Sequence, residues 1–568
     1  MSALFRSTAL FNRSIRASSI AALYPYLLFG VTIIVFFWPL RKAGFIIDDP
    51  QYIWFSAKYS LLKIFFDPLT YMYLSPANFT PFLAFTFKID SYFFKGNPLG
   101  YNIHSFISLF STSCMLYILL RNYSSKVVAI CGVMFFIICP STAEITSWLS
   151  TRHYLEGMFW ALLSLHFMQR RDDSRNSLNF FLVASPYLIA ALYKEVYVPL
   201  PAVAFLLTGG NFRRRFFKTL PLWIGLFLYI PYRLYMLGGN VGGYPASVFS
   251  FGDIAHNVIM ISQAFPKMIF GQYWFIALLL CVTLIILLMV RKKHIPWVGI
   301  LASYIVILIP IATLDIQTIS SRYLFHIAIF IIVLVAIGWH YLSEKKMIFK
   351  VPMILMILGT FFIWTNTSIG VRNTYKQYRD QTMADVVALI QNRDKPFIVS
   401  RAPEICDLNW YFDGVKKMYR LFEGLDLKAK ILFPNYMKYN PPEMIQEVFD
   451  SGAGNDDRVK EIVPGDFHFN STDLQKGPLS IDVSTNGYAF SWKFGPEEGP
   501  YTVMVRRKNE FYFPYKSIPR KGRYLFAPGF ANVLYFRVLY QKPGGIEVIS
   551  PEFELDFPSK ITQRMQWE

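Results

Sequence analysis

Charge is scarce in this chain. Only 16% of its 568 residues are Asp, Glu, Lys or Arg, against 54% hydrophobic and 18% aromatic. That shortage excludes one soluble domain of this length and points to a polytopic membrane protein. Cysteine is equally thin. Of the five, Cys114, Cys131, Cys139 and Cys281 lie inside apolar runs and Cys406 stands alone, so a disulfide framework and metal-ligand spacing are both excluded. No His-rich or carboxylate cluster has metal-ligand spacing either. No cofactor is therefore required by the sequence, and a divalent ion on an acidic pair stays open. No small-residue cleavage site follows the first apolar run, which reads as an uncleaved helix.

The net charge of +19 invites a nucleic-acid partner, but the basic residues sit in short clusters between apolar runs, as juxtamembrane anchors do. The partner they indicate is the lipid bilayer, not nucleic acid. Apolar runs from Ile20–Leu40 to Val351–Trp364 give about eleven crossings, several of them shorter than the roughly 20 residues a straight span needs. Six basic clusters, among them Arg213–Arg215 and Arg291–Lys293, fall on one side if Ile254–Gly271 is an interfacial or re-entrant helix. The amino terminus is then cytoplasmic and everything after Trp364 lies on the far side.

The same threading gathers five polar stretches on that far side: the loop with Asp48 and Asp49, "CPSTAEITSWLSTRH" (Cys139–His153), "YKE" (Tyr193–Glu195), Gly238–Asp253, and "LDIQTISSRY" (Leu314–Tyr323). Ionisable groups at this depth are costly unless they line a wet cavity or pair with one another, so acids and bases sharing one face suggest a site. Two carboxylates facing several cations suit transfer of a sugar from a lipid phosphate. The leaving phosphate needs positive charge and no general acid, whereas the acceptor hydroxyl needs a base. Direct attack would invert the sugar carbon. Asp48 and Asp49 are adjacent, so their side chains diverge unless the backbone turns, and Pro50 favours a turn or an extended segment. Asp-Asp-Pro also makes an ordinary helix cap.

The order of these features resembles the GT-C superfamily of polyprenyl-phosphate-sugar-dependent glycosyltransferases, which includes the protein O-mannosyltransferases and the aminoarabinose transferases of lipid A. The pattern is most similar to the membrane half of the O-mannosyltransferases with tetratricopeptide repeats and their bacterial relatives. "DDPQYI" resembles the acidic pair of that family. "NFTPFLAFTFKIDSYFFKGNPLGYNIHSFISLF" (Asn78–Phe110) resembles its Arg-Pro-Leu, Gly-x-Asn-Pro and His signature, "CPSTAEITSWLSTRHYLEGMFWALLSL" its second loop, "YKEVYVPLP" its Lys-Glu stretch, and "SSRYLFHIAIF" its Arg-Tyr-Leu helix entry. The resemblance covers about the first 370 residues. It implies an all-α GT-C membrane domain and a catalytic base at Asp48 or Asp49. It places Arg152, Lys194 and Arg322, with Lys88 behind them, at the donor phosphate. Glu144, His153, Glu195 and Tyr323 become substrate-site candidates, with His153 standing where relatives carry an acid. His104 and Asn97 read as fixing the loop.

Beyond residue 370 the expectation is a connecting helix over Val371–Arg393 and a small mixed α/β region to residue 475. From 476 to 568, strands such as "LSIDVS", "GYAFSWKFG" and "NVLYFRVLYQK" predict a fibronectin-III-like β-sandwich. The repeat period of about 34 residues is missing. The function expected is an integral-membrane inverting glycosyltransferase that takes sugar from a polyprenyl-phosphate carrier to a protein, lipid or polysaccharide acceptor. The setting is the bacterial inner membrane facing the periplasm, or the ER membrane in a eukaryote. The competing reading is a transporter or flippase, which predicts inverted repeats and broken helices at mid-membrane.

Overall fold

The computed structural model describes residues 19–170, 177–238, 251–271, 275, 297–313, 320–343, 350–391, 393–394, 397–398, 407–429, 431–432, 444, 480–486, 489–495, 501–507, 510, 512–518, 521–525, 533–541, 547–556 and 562–566. Most of Gly238–Asp253 and residues 314–319 of the "LDIQTISSRY" stretch lie outside these.

The first helix, α1 (Ser19–Phe37), is apolar all round. It buries Phe29, Ile33 and Phe37, with Tyr26 and Phe29 edge-on to Tyr117, and leaves Leu27, Val31 and Val35 exposed. An apolar face of that kind is stable only against lipid. Four short helices follow in the first loop: α2 (Asp49–Lys58), α3 (Leu61–Phe66), α4 (Pro68–Leu74) and α5 (Pro81–Phe94). Three of the four carry Pro at a first-turn position, where the missing N–H costs nothing. Ser60 and Asp67 cap α3 and α4, and Asn97 caps α6 (Pro98–Arg121) through the Leu99 amide at 3.0 Å.

Helix α7 (Lys126–Ile137) bends by 52° into α8 (Pro140–Ser147), because Pro140 cannot continue the α7 ladder. All eight residues of α8 are buried, Glu144 among them. A 3-10 turn (Leu149–Thr151) leads to α9 (His153–Arg170). Helices α10 (Ser177–Tyr193), α11 (Leu200–Leu207), α12 (Phe212–Leu237), α13 (Phe251–Phe270), α14 (Trp297–Ala312) and α15 (Phe325–Ser343) complete the apolar body.

The count of about eleven crossings is not reproduced. Among the described residues three helices are long and apolar enough to cross a bilayer, Leu23–Leu40, Pro98–Arg121 and Phe212–Leu237, or four with the bent α7–α8 pair. Other apolar runs form helices of 10 to 17 residues, such as Leu178–Tyr193 and Gly299–Ala312. The run Trp274–Val290 falls almost wholly outside the described residues.

The apolar run ending at Trp364 and the expected connecting helix over Val371–Arg393 are one continuous element. One 42-residue helix, α16 (Lys350–Gln391), carries the last apolar run straight into the connecting segment. It is about 63 Å long at 1.5 Å per residue, enough to leave a bilayer. Strand β1 (Phe397–Ile398) pairs in parallel with β2 (Ile431–Leu432), and α17 (Asp407–Glu423) lies between them in sequence.

The last region forms two antiparallel sheets. Strands β3 (Ser480–Asn486), β4 (Ala489–Gly495), β7 (Lys521–Leu525) and β11 (Thr562–Gln566) run in the order β11-β3-β4-β7. The second sheet runs β10-β8-β5-β6, with β9 also on β8; these are β5 (Tyr501–Arg506), β6 (Phe513–Ile518), β8 (Val533–Gln541), β9 (Glu547–Ile549) and β10 (Phe553–Asp556). A hydrophobic cluster joins this region to the first loop: Phe45, Ile53 and Leu83 share it with Val386, Tyr411, Phe412, Val503 and Phe536.

Candidate functional site

The first-loop turn is strained where the acids begin. Ile47 has φ 46°, a left-handed conformation that a β-branched residue adopts only under constraint. Asp49 is fully buried: its Oδ2 accepts the Ile46 amide at 3.0 Å and its Oδ1 accepts the Ser150 amide at 2.8 Å. It thus staples the first loop to the turn before α9. Burial pushes its carboxyl up to about 6, against the opposing pull of Arg379 and of the two amides. Asp48 is half-buried and heads α2, yet its side chain does not cap that helix. The ordinary cap role is therefore not the one it plays.

Lys194 closes the C-terminal end of α10. Its Nζ donates to Asn78 Oδ1 at 3.3 Å, and burial pushes its ammonium below the ordinary lysine value, Arg322 acting in the same direction and Tyr323, Glu195 and Asp48 against it. Asp48, Arg322 and Tyr323 thus each fall within electrostatic reach of Lys194. Arg322, in the 3-10 turn Ser321–Leu324, lies over the Trp148 ring at 4.5 Å and the Tyr323 ring at 4.7 Å. Glu144 holds this turn in place. It accepts Arg322 Nη1 and the Arg322 amide, both at 3.0 Å, the hydroxyls of Ser320 and Ser321, and Tyr375 from the long helix.

His153 Nδ1 donates to the Ser150 carbonyl at 2.8 Å, and its Nε2 is buried without a protein partner. Burial, and then the charge of Lys194, push its pKa well below the ordinary imidazole value. It is a neutral ring at pH 7, and with Nδ1–H donated to Ser150 its Nε2 is an acceptor.

Two expected phosphate ligands are committed elsewhere. Arg152 is completely buried, 2.8 Å from Asp90 Oδ2 and 2.8 Å from Glu156 Oε1, with its guanidinium over Phe87. His104 bridges the same two acids, Nδ1 to Asp90 at 2.6 Å and Nε2 to Glu156 at 3.3 Å. Arg152 is thus neutralised inside the protein by two carboxylates. Lys88 donates to the carbonyls of Ser56 and Tyr59 at 2.9 and 2.8 Å, where it finishes the C-terminal end of α2. Glu195 pairs with Arg233 of α12, not primarily with its neighbour Lys194. Among the described residues no group of three or more His, Cys, Asp or Glu is arranged to hold a metal ion.

Sequence reasoning missed Asp90, Glu156, Arg233 and Arg379. For Asp90, Glu156 and Arg233 the signal was present, because each is an ionisable residue in a largely apolar helix and must find a partner, whereas Arg379 sits in the polar stretch "RNTYKQYRDQ" and gave none. Arg379 of α16 is fully buried and donates to the carbonyls of Ala43 and Ser147 and to Asn102 Oδ1 at 2.9 to 3.0 Å, and to the Gly44 carbonyl. It locks the long helix onto the base of the acidic turn.

No family profile matches the chain, and no curated protein matches it. Among solved structures it is similar to ArnT from Cupriavidus metallidurans bound to undecaprenyl phosphate, with 11% identity and a TM-score of 0.42, over 82% of this chain and 94% of that one.

Proposed function

We propose that this chain is an inverting glycosyltransferase of GT-C type that moves a sugar from a polyprenyl-phosphate carrier to an acceptor hydroxyl on the non-cytoplasmic side of the membrane. The observation that carries the reading is that Asp48, Arg322 and Tyr323 all act electrostatically on buried Lys194. The acceptor oxygen attacks the anomeric carbon and gives its proton to Asp48. The bond from that carbon to the phosphate oxygen breaks, and the departing lipid phosphate gains negative charge opposite Lys194 and Arg322. Asp49 holds the turn, Glu144 holds Arg322, and His153 Nε2 accepts a substrate hydroxyl. Arg152 and Lys88 serve the scaffold. Residues 1–370 form the transferase domain, 371–475 the connector and 476–568 a fibronectin-III-like sandwich. Its support is the pair of strand orders β3-β4-β7 and β6-β5-β8-β10. The setting is a bacterial inner membrane with the sandwich in the periplasm.

Purified full-length protein given radiolabelled polyprenyl-phosphate sugars tests the reading; release of no labelled sugar to any acceptor or to water rejects it. Arg322→Ala is expected to weaken donor binding by about 10- to 100-fold, the worth of one charge-assisted contact of about 1.5–3 kcal/mol. Unchanged donor affinity removes Arg322 from the phosphate site.

A pH dependence follows from Asp49. Its folded value of about 6 lies above its ordinary 3.8, so the folded chain takes up a proton between these values that the unfolded chain does not. Acid therefore does not destabilise the fold through this group; its protonation favours the folded state as pH falls below 6. The neutral carboxyl, however, accepts poorly from two amides at once, and the turn loosens. Turnover is expected to fall as pH drops through about 6. A profile flat down to pH 5 would refute that assignment.

A further inference from the structure

The carboxyl-terminal half touches the acidic turn at two independent places. The first is polar. Gln51, two residues after Asp49, donates its Nε2 to Asp413 Oδ2 of α17 at 2.7 Å and to the Trp410 carbonyl at 3.1 Å. Asp413 is buried and also meets Lys417 Nζ at 2.7 Å and Arg507 Nη1, just past β5, at 2.8 Å. The second is steric. A Cβ on Gly414 would lie 2.9 Å from the Gln51 amide nitrogen and 3.0 Å from Pro50 Cβ, so the bare backbone of α17 rests on the first turn of α2. Tyr411, one turn earlier on the same helix, is buried within electrostatic reach of Asp49.

These contacts have a mechanical consequence. The turn is held from below by Asp49, through the Ser150 amide, and from above by α17. Asp48 is the N-cap residue of α2, the helix on whose first turn both contacts bear. Lys194 and Arg322 belong to other elements, so a shift of α17 moves the base without moving the phosphate site.

We propose that Asp413, through Gln51, and Gly414, through its contact with Pro50, are positioning residues that hold Asp48 in its reactive orientation, which makes α17 a wall of the active site and not a tether for the sandwich. This rests on the glycosyltransferase reading. The test uses the purified full chain with Gly414→Leu, Gly414→Ala and Asp413→Ala, assayed for transfer from radiolabelled polyprenyl-phosphate sugar. In parallel, amidation of Asp48 by a water-soluble carbodiimide is read by mass spectrometry, with half-exposed Asp380 of the long helix as the internal standard.

The expected result for Gly414→Leu is a fall in kcat of about a hundredfold, the cost of an ångström-scale misplacement, with donor KM unchanged. Gly414→Ala falls between it and the natural chain. Asp48 amidation rises in Gly414→Leu and Asp413→Ala while that of Asp380 stays constant. Unchanged kcat in both, or donor affinity lost in step with turnover, overturns the proposal. If the natural chain proves inactive, the transferase reading fails separately. The labelling then decides alone: altered Asp48 reactivity supports the positioning contact, and unaltered reactivity rejects it.

Discussion

Asp48→Asn is expected to lower transfer by about 10²- to 10⁴-fold, the usual worth of a positioned general base, while folding and donor binding persist. Asparagine keeps the shape of the side chain and removes its capacity to take a proton. The start of α2 is kept, since the Asp48 side chain does not cap it. Asp49→Asn must behave differently. Both Asp49 oxygens face backbone N–H donors, from Ile46 and Ser150, so the new NH₂ group is forced against a donor. That leaves a buried amide unmatched, at about 1–3 kcal/mol. Lower thermal stability accompanies its loss of activity. Single-turnover assays and unfolding midpoints on the two variants separate the roles. Full turnover in Asp48→Asn ends the base assignment.

That separation of roles could not be read from "GFIIDDPQYIW". Part of the neighbourhood was legible, because polar groups at the ends of apolar runs are costly and must find partners; Asp48, Arg322 and Tyr323 lie within electrostatic reach of Lys194. Which acid is buried depends on the positive φ of Ile47 and on an amide 101 residues away, neither of which leaves a local pattern. Helix starts carry a local mark that went unread: Pro50, Pro81, Pro98 and Pro140 stand at first-turn positions, whereas Pro50 was expected to favour a turn or an extended segment. In the last region the quoted strands formed, whereas β6, β7 and β11 went unread. All three are at sheet edges. Edge strands tolerate charge and proline: "FPYKSI" carries Pro514 opposite Met504, where the register slips, and so looks like a loop. The docking of α17 on α2 joins residues some 360 positions apart and has no signature in either segment.

Arg152→Met is expected to cost about 3–5 kcal/mol, the penalty for breaking a buried ion pair from one side, and so to leave little well-folded protein. The sequence pattern offered this arginine to the donor phosphate, which predicts instead a stable protein with weakened donor binding. Geometry argues for the first outcome. Arg152 is wholly buried between Asp90 and Glu156, themselves nearly inaccessible, and its removal sets two carboxylates against each other with only His104 between them. The contrast sharpens when charge is removed from all three positions: Asp90→Asn, Arg152→Met and Glu156→Gln together should recover much of the lost stability, because no uncompensated charge then remains in the interior. A ligand of the donor phosphate would not be rescued in this way. Yield of monodisperse protein in detergent and the unfolding midpoint read the stability arm, and equilibrium binding of the polyprenyl-phosphate sugar reads the other. A single variant that folds normally and loses only donor affinity would return Arg152 to the phosphate and leave the Asp90–Glu156 cluster without its structural role.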